Sequence, residues 1–239
     1  MKNPSKIPQI IIILILLPLF YLPTELCAQI FTNSGRDNYN FNVEAGYQIS
    51  KSEFSNSSNL PKYNPEAKGL LIIVRANESL LYGTFGKYKS GSDSYSFLLA
   101  GVEAPVIPFV KSFGRNEIGI LVSLFSDYAK WERPSDSSKV KFDISALGIN
   151  AGGMFKLKIS SAELTGKLTV GYGYSFQYIG EETGNEWNAR FSTHILFPNV
   201  TDYFGLSGSI FANYTNWDIK NDDLKTTILT VGITAGVAF

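Results

Sequence analysis

Between residues 162 and 178 alternate positions sort into two chemical classes. Ala162, Leu164, Gly166, Leu168, Val170, Tyr172, Tyr174, Phe176 and Tyr178 form one set, and Glu163, Thr165, Lys167, Thr169, Gly171, Gly173, Ser175 and Gln177 the other. A period of two is that of a β-strand, whose side chains point to opposite faces in turn; a helical period of 3.6 would mix the two sets. The last residues repeat the pattern. Thr227, Leu229, Val231, Ile233, Ala235, Val237 and Phe239 oppose Ile228, Thr230, Gly232, Thr234, Gly236 and Ala238.

Similar alternation recurs at 41–50, 117–128, 142–155, 187–197 and 204–217, and less regularly at 70–77, 80–89 and 95–106. Turn-forming clusters separate them, such as Ser90-Gly91-Ser92-Asp93 and Asn221-Asp222-Asp223. The count is about ten strands. Segments 70–77 and 80–89 need a tight turn near Asn77-Glu78, and their merger would leave eight.

A soluble barrel or sandwich hides its apolar face inside, where large side chains soon fill the space. Here the polar face is the small one, carrying Gly171, Gly173, Ser175, Ser207, Ser209, Gly232, Thr234 and Gly236. Small and polar within, large and apolar without, is the pattern of a barrel immersed in lipid. The expected fold is therefore all-β, an antiparallel up-and-down transmembrane β-barrel. With the N-terminus in the periplasm, the polar stretches 52–66, 130–140, 180–186 and 218–225 face outward. The connections at 156–160 and 198–202 are short, as periplasmic turns should be. Segment 105–116 fits poorly, reading as a long and partly apolar periplasmic connection.

Ahead of the strands, Lys2 and Lys6 precede an apolar run over 10–17 that is bracketed by Pro8 and Pro18 and is shorter than a membrane-spanning helix. It reads as a signal peptide, residues 1–28, cleaved after Ala28 to leave a barrel of residues 29–239. Leu26 and Glu25 are wrong for lipid attachment at Cys27. Cys27 is the single cysteine and leaves with the signal, so the mature chain offers no disulfide, thiol nucleophile or Cys-ligated metal. Lys+Arg 21 balances Asp+Glu 21, which removes the electrostatic basis for binding nucleic acid.

A signal ending in Ala28-Gln29, alternation throughout the mature region and a terminal strand Leu229-x-Val231-x-Ile233-x-Ala235-x-Val237-x-Phe239 resemble a small Gram-negative outer-membrane β-barrel protein of the eight- to ten-stranded class. The resemblance implies an outer-membrane location, lipid as the surrounding partner and a monomer. It also implies recognition of the strand ending in Phe239 by the barrel assembly machinery.

Candidate chemistry is sparse. His194, the only histidine, shares a face with Ser192, a spacing that suits a nucleophile and its base, although no acid to orient the imidazole can be named. Glu44, Arg75, Lys87, Asp127, Glu163, Lys167 and Arg190 are expected to point inward with His194 as a paired polar network, because a lumen of eight or ten strands is narrow enough for side chains to fill. An aromatic girdle is expected from Trp131, Trp187 and Trp217 at the extracellular rim, and from Phe197, Phe204 and Phe239 at the periplasmic one. Asp218, Asp222 and Asp223 lack a calcium-binding spacing, and neither metal nor cofactor is expected. Three functions follow: a non-enzymatic barrel with a plugged lumen whose outer loops meet surfaces or ligands, a narrow porin for small solutes, or a lipid-modifying enzyme using Ser192 and His194.

Overall fold

The computed structural model describes residues 41–55, 66–76, 79–90, 93–133, 140–177, 183–198, 200–201, 204–219 and 224–239. The expected signal peptide, its cleavage site and most of the connecting loops lie outside the described residues. Ten strands form the body: β1 (Phe41–Ser55), β2 (Glu66–Ala76), β3 (Ser79–Ser90), β4 (Asp93–Phe113), β5 (Asn116–Arg133), β6 (Val140–Ile159), β7 (Ala162–Gln177), β8 (Thr183–Phe197), β9 (Gly205–Ile219) and β10 (Leu224–Ala238). Each pairs antiparallel with its neighbours in sequence, and β1 pairs with β10 to close the barrel. The doubtful pair is present as β2 and β3, so the count is ten and not eight.

Closure at the β1–β10 seam runs from Asn42 opposite Ala238 to Ser55 opposite Lys225. It is finished by two backbone bonds between Phe41 and Phe239, at 3.3 and 2.8 Å. Following the cross-strand partners Val43, Val74, Leu81, Val102, Ser126, Leu147, Tyr174, Asn185, Asp218 and Lys225 returns to β1 at Ser55, twelve residues above the start. With ordinary strand spacings that stagger implies a tilt of about 40° and a backbone radius of about 10 Å. The diameter leaves room for side chains from opposite walls to meet.

The alternation decides which side chains those are. Leu81, Phe85, Ile120, Leu124, Ile149, Leu168, Val170, Tyr172, Ile210, Val231 and Ile233 are exposed on the outer face, while Gln48, Ser50, Thr84, Asn150, Ser175, Asn213 and Thr230 are buried inside. In water an apolar band of this extent would be costly, whereas hydrocarbon accepts it and demands a wall without free edges. The outer face thus suits a membrane and the closed ladder satisfies the membrane's requirement on the backbone. Charge returns to the outer face at the end joined by the longer loops, where Lys51, Lys68 and Glu66 are exposed.

Segment 105–116 is a correction. It is no connection but the lower part of β4, a two-residue turn at Gly114-Arg115 and the first residue of β5. Gly114 has φ +65°, a region that glycine enters without steric cost. β3 reaches only to Ser79, and its Leu80 pairs with Glu103, so β4 beyond Glu103 has a partner on the β5 side alone. Two prolines are tolerable there because a free edge does not need their missing N–H groups. The ladder skips Val106 between Pro105 and Ile107, a bulge that places Pro105 and Pro108 two rungs apart and hence in the same phase.

Glycine is required at the seam itself. A Cβ on Gly236 would lie 1.9 Å from the Val43 carbonyl oxygen, while one on Gly153 would meet nothing closer than 3.8 Å. Gly236→Val is therefore expected to hinder closure, at a cost of roughly 1–3 kcal/mol, and Gly153→Ala to be tolerated. The folded fraction that migrates differently before and after boiling on a gel measures this: it should fall for Gly236→Val and stay at wild-type level for Gly153→Ala.

Candidate functional site

The inside of the barrel is layered. Toward the loop end, an apolar layer gathers Ala67 from β2, Phe97 and Leu99 from β4, Ala129 from β5, Ile144 from β6, Trp217 and Ile219 from β9 and Ile228 from β10, all buried. Trp217 is fully enclosed, and this corrects its placement in the outer aromatic girdle. The reason is parity: Trp217 shares the odd positions of β9 with Ser207, Ser209 and Asn213, all of which face inward. Trp187 does lie on the outer face, its ring 4.8 Å from that of Tyr214. Trp131 falls near the loop end of β5. Phe197 and Phe239 are exposed on the outer face near the turn end, and Phe204 is half-buried and joined to Thr201 by two hydrogen bonds.

Beneath the apolar layer the lumen turns ionic. Arg190 of β8 donates to Glu103 Oε2 at 3.1 Å, to Asp127 Oδ2 and to Asn213 Oδ1 at 3.4 Å. Tyr82 donates its hydroxyl to the second oxygen of Asp127 at 2.9 Å and accepts from Asn213 at 3.0 Å; Ser123 donates to Glu103 at 2.6 Å. The guanidinium also lies over the rings of Tyr82 and Phe125, at 5.6 and 5.1 Å from their centroids. One planar cation thereby joins β3, β4, β5, β8 and β9 across the barrel, a task that suits arginine's fixed fork of donors and not the point charge of lysine. Glu186 is fully buried on the same strand as Arg190 and accepts from Asn188 at 3.0 Å.

A second ionic group lies nearer the turn end. Glu44 of β1 receives Arg75 Nη1 at 3.4 Å and the Thr234 hydroxyl at 2.6 Å on one oxygen, and His194 Nε2 is 3.2 Å from the other. Asn42 Nδ2 is 3.1 Å from the same His194 nitrogen. The two contacts are alternatives. A protonated Nε2 donates to Glu44, and a bare one accepts from Asn42. Glu44 is thus the acid that no local sequence signal could supply, since it comes from the strand that closes the barrel. Ser192 does not join it. The serine lies two residues along β8, about 7 Å in a strand, with no hydrogen bond to His194, and it lines a cavity of about 30 Å³ with Arg75, Glu103, Lys167 and Arg190. That volume has room for about two waters.

The other inward candidates divide. Glu163 pairs with Lys156 at 2.7 Å, both largely buried. Arg75 and Asp127 are buried, as described, and Lys167 borders the cavity. Lys87 is the exception: it is exposed on the outer face, because Tyr82, Thr84 and Gly86 set the inward phase of β3. Asp218 pairs with Lys225 at 3.6 Å. Asp222 and Asp223 lie outside the described residues, and among the described residues no three acidic, histidine or cysteine side chains converge as a metal site.

A closed antiparallel barrel with an apolar outer wall and buried polar side chains within is the architecture of a transmembrane β-barrel. No family model and no curated protein sequence matches the chain. Among solved structures it is similar to the attachment invasion locus protein Ail of Yersinia pestis, with 18% identity over 83% of this chain and 97% of that one and a TM-score of 0.26. It is also similar to Neisserial surface protein A, with 13% identity over 82% and 96% and a TM-score of 0.32. The Pseudomonas putida toluene transporter TodX matches with 10% identity over 90% and 74% and a TM-score of 0.30. What this barrel does has to be read from its own lumen and rim.

Arg190 is the point at which the lumen can be tested. Arg190→Met would leave Asp127 and Glu103 buried without their cation, a loss of about 3–5 kcal/mol. Urea unfolding of the detergent-refolded protein should show a clearly lower midpoint for Arg190→Met. Arg190→Lys should recover only part of it, since lysine cannot reproduce the fork.

Proposed function

We propose that this protein is a non-enzymatic outer-membrane barrel whose lumen is closed to solutes and whose extracellular loops and rim are its working surface. The observation that carries the proposal is the filling of a lumen of about 10 Å backbone radius by Trp217, Phe97 and Ile144 above a hydrogen-bonded ionic network around Arg190. Ion conduction needs a continuous wet path with weak binding along it, and an apolar layer over paired charges supplies neither. The engagement of His194 with Glu44 and Asn42, away from Ser192, favours a structural role for this histidine over catalysis. Location in the outer membrane, the monomeric state and insertion through the strand ending in Phe239 belong to the same proposal.

Planar-bilayer recording tests it directly. Wild-type protein should give no steady conductance steps, whereas Trp217→Ala combined with Phe97→Ala, which removes the two largest side chains from the apolar layer, should produce small open events. Regular ion-selective steps from the wild type would favour the narrow porin instead.

A further inference from the structure

The outer face of β1, β2 and β3 changes character at one level. On β1 the exposed apolar Ile49 is followed, two residues on, by exposed Lys51. On β2 the same outward step runs from Leu70 to Lys68, and on β3 from Phe85 to Lys87. Two of these lysines are direct cross-strand partners: Lys68 lies opposite Lys87, and Ile49 opposite Lys68 carries the row across to Lys51 on the next strand. Like charges directly opposed on one face destabilise a sheet. Glu66 tempers the row, 3.1 Å from Lys68 and 3.9 Å from Lys51, and Glu53 stands exposed one outward step beyond Lys51 on β1. The carboxylates thus lie on the β1 and β2 side of the row, and Lys87 has no ion pair among the described residues.

The position of the row says what would offset it. These lysines stand one outward step beyond the last apolar residue on three adjacent strands, at the loop end, which is where a lipid-embedded wall passes from acyl chains to headgroups. They face out from the wall, away from the ionic groups inside. A lysine ammonium is a strong donor to phosphate oxygens, and its long stem can lie along the apolar surface below it. On this basis we infer that Lys51, Lys68 and Lys87 form a ledge that binds the phosphorylated headgroup of an outer-leaflet lipid, whose acyl chains run down the wall past Ile49, Leu70 and Phe85. The inference rests on the membrane orientation given above. It adds a specific lipid contact to a barrel otherwise surrounded by lipid without preference.

Native mass spectrometry of the detergent-refolded full mature chain tests it, with a diphosphorylated glucosamine-disaccharide lipid offered against its dephosphorylated form. The wild type should retain the phosphorylated lipid at least tenfold better, and the double variant Lys68→Gln with Lys87→Gln should lose most of that preference. Lys87→Glu separates the ledge from simple loss of structure. In a neutral detergent it should raise the unfolding temperature, because it replaces a like-charge pair with an opposite one, and in phosphorylated lipid it should remove the added stability that the wild type gains there. Equal retention of both lipids by the wild type would overturn the ledge, as would an undiminished preference in the double variant. So would binding of inorganic phosphate with no preference for the lipid. Failure of the membrane orientation itself shows separately, as loss of the gel shift between unheated and boiled protein.

Discussion

In hydrocarbon a backbone N–H or C=O without a partner costs several kcal/mol, and no water is present to supply one. Almost everything in this structure follows from that constraint. It explains why ten strands close on themselves, why β1 and β10 are stitched together by the bonds between Phe41 and Phe239, and why Gly236 presses against the Val43 carbonyl at the seam. At the turn end the wall relaxes the rule in the lower part of β4 below Glu103. There Pro105 and Pro108 remove donors that a free edge would otherwise leave unpaired, and the bulge at Val106 keeps the two prolines in phase.

Closure then dictates the interior. A backbone radius of about 10 Å lets side chains from opposite walls meet, and leaves too little water to solvate isolated charges. The chain answers with two materials. Apolar groups around Trp217 fill the lumen at the loop end, while deeper inside Arg190 is matched with Glu103 and Asp127, Arg75 with Glu44, and Glu186 is held by the Asn188 amide. Such pairing is better seen as avoiding a penalty than as adding stability, because the desolvation of both partners consumes most of their attraction. What it contributes is connection: Arg190 and Glu44 tie together strands that lie across the barrel from one another.

How much of this could be read from the sequence differs by residue, for physical reasons. The period of two is a property of single strands, so the barrel, its strand number and the outward Leu168, Val170 and Tyr172 were legible locally. The same rule gave the inward position of Arg190. It also held the answer for Trp217, whose odd position on β9 matches Ser207 and Ser209, but rim tryptophans are common enough in membrane proteins that residue type outweighed parity. Lys87 was misplaced because the neighbouring Leu80 and Leu81 blur the phase of β3. Pro105 and Pro108 suggested a break in structure, since only the register of β3 against β4 reveals that they occupy an edge. The partnership of Glu44 with His194 arises from closure between distant strands, and no spacing in the chain announces it.

The alternation turns its apolar side to lipid and its polar side, with Trp217, to the lumen. Tryptophan fluorescence in bilayers carrying bromine on the acyl chains reads this side by side for two residues of known phase. In proteins retaining a single tryptophan, Trp187 should be strongly quenched by the brominated chains and Trp217 should keep nearly all of its emission. Strong quenching of Trp217 with little effect on Trp187 would mean that the wall faces the other way.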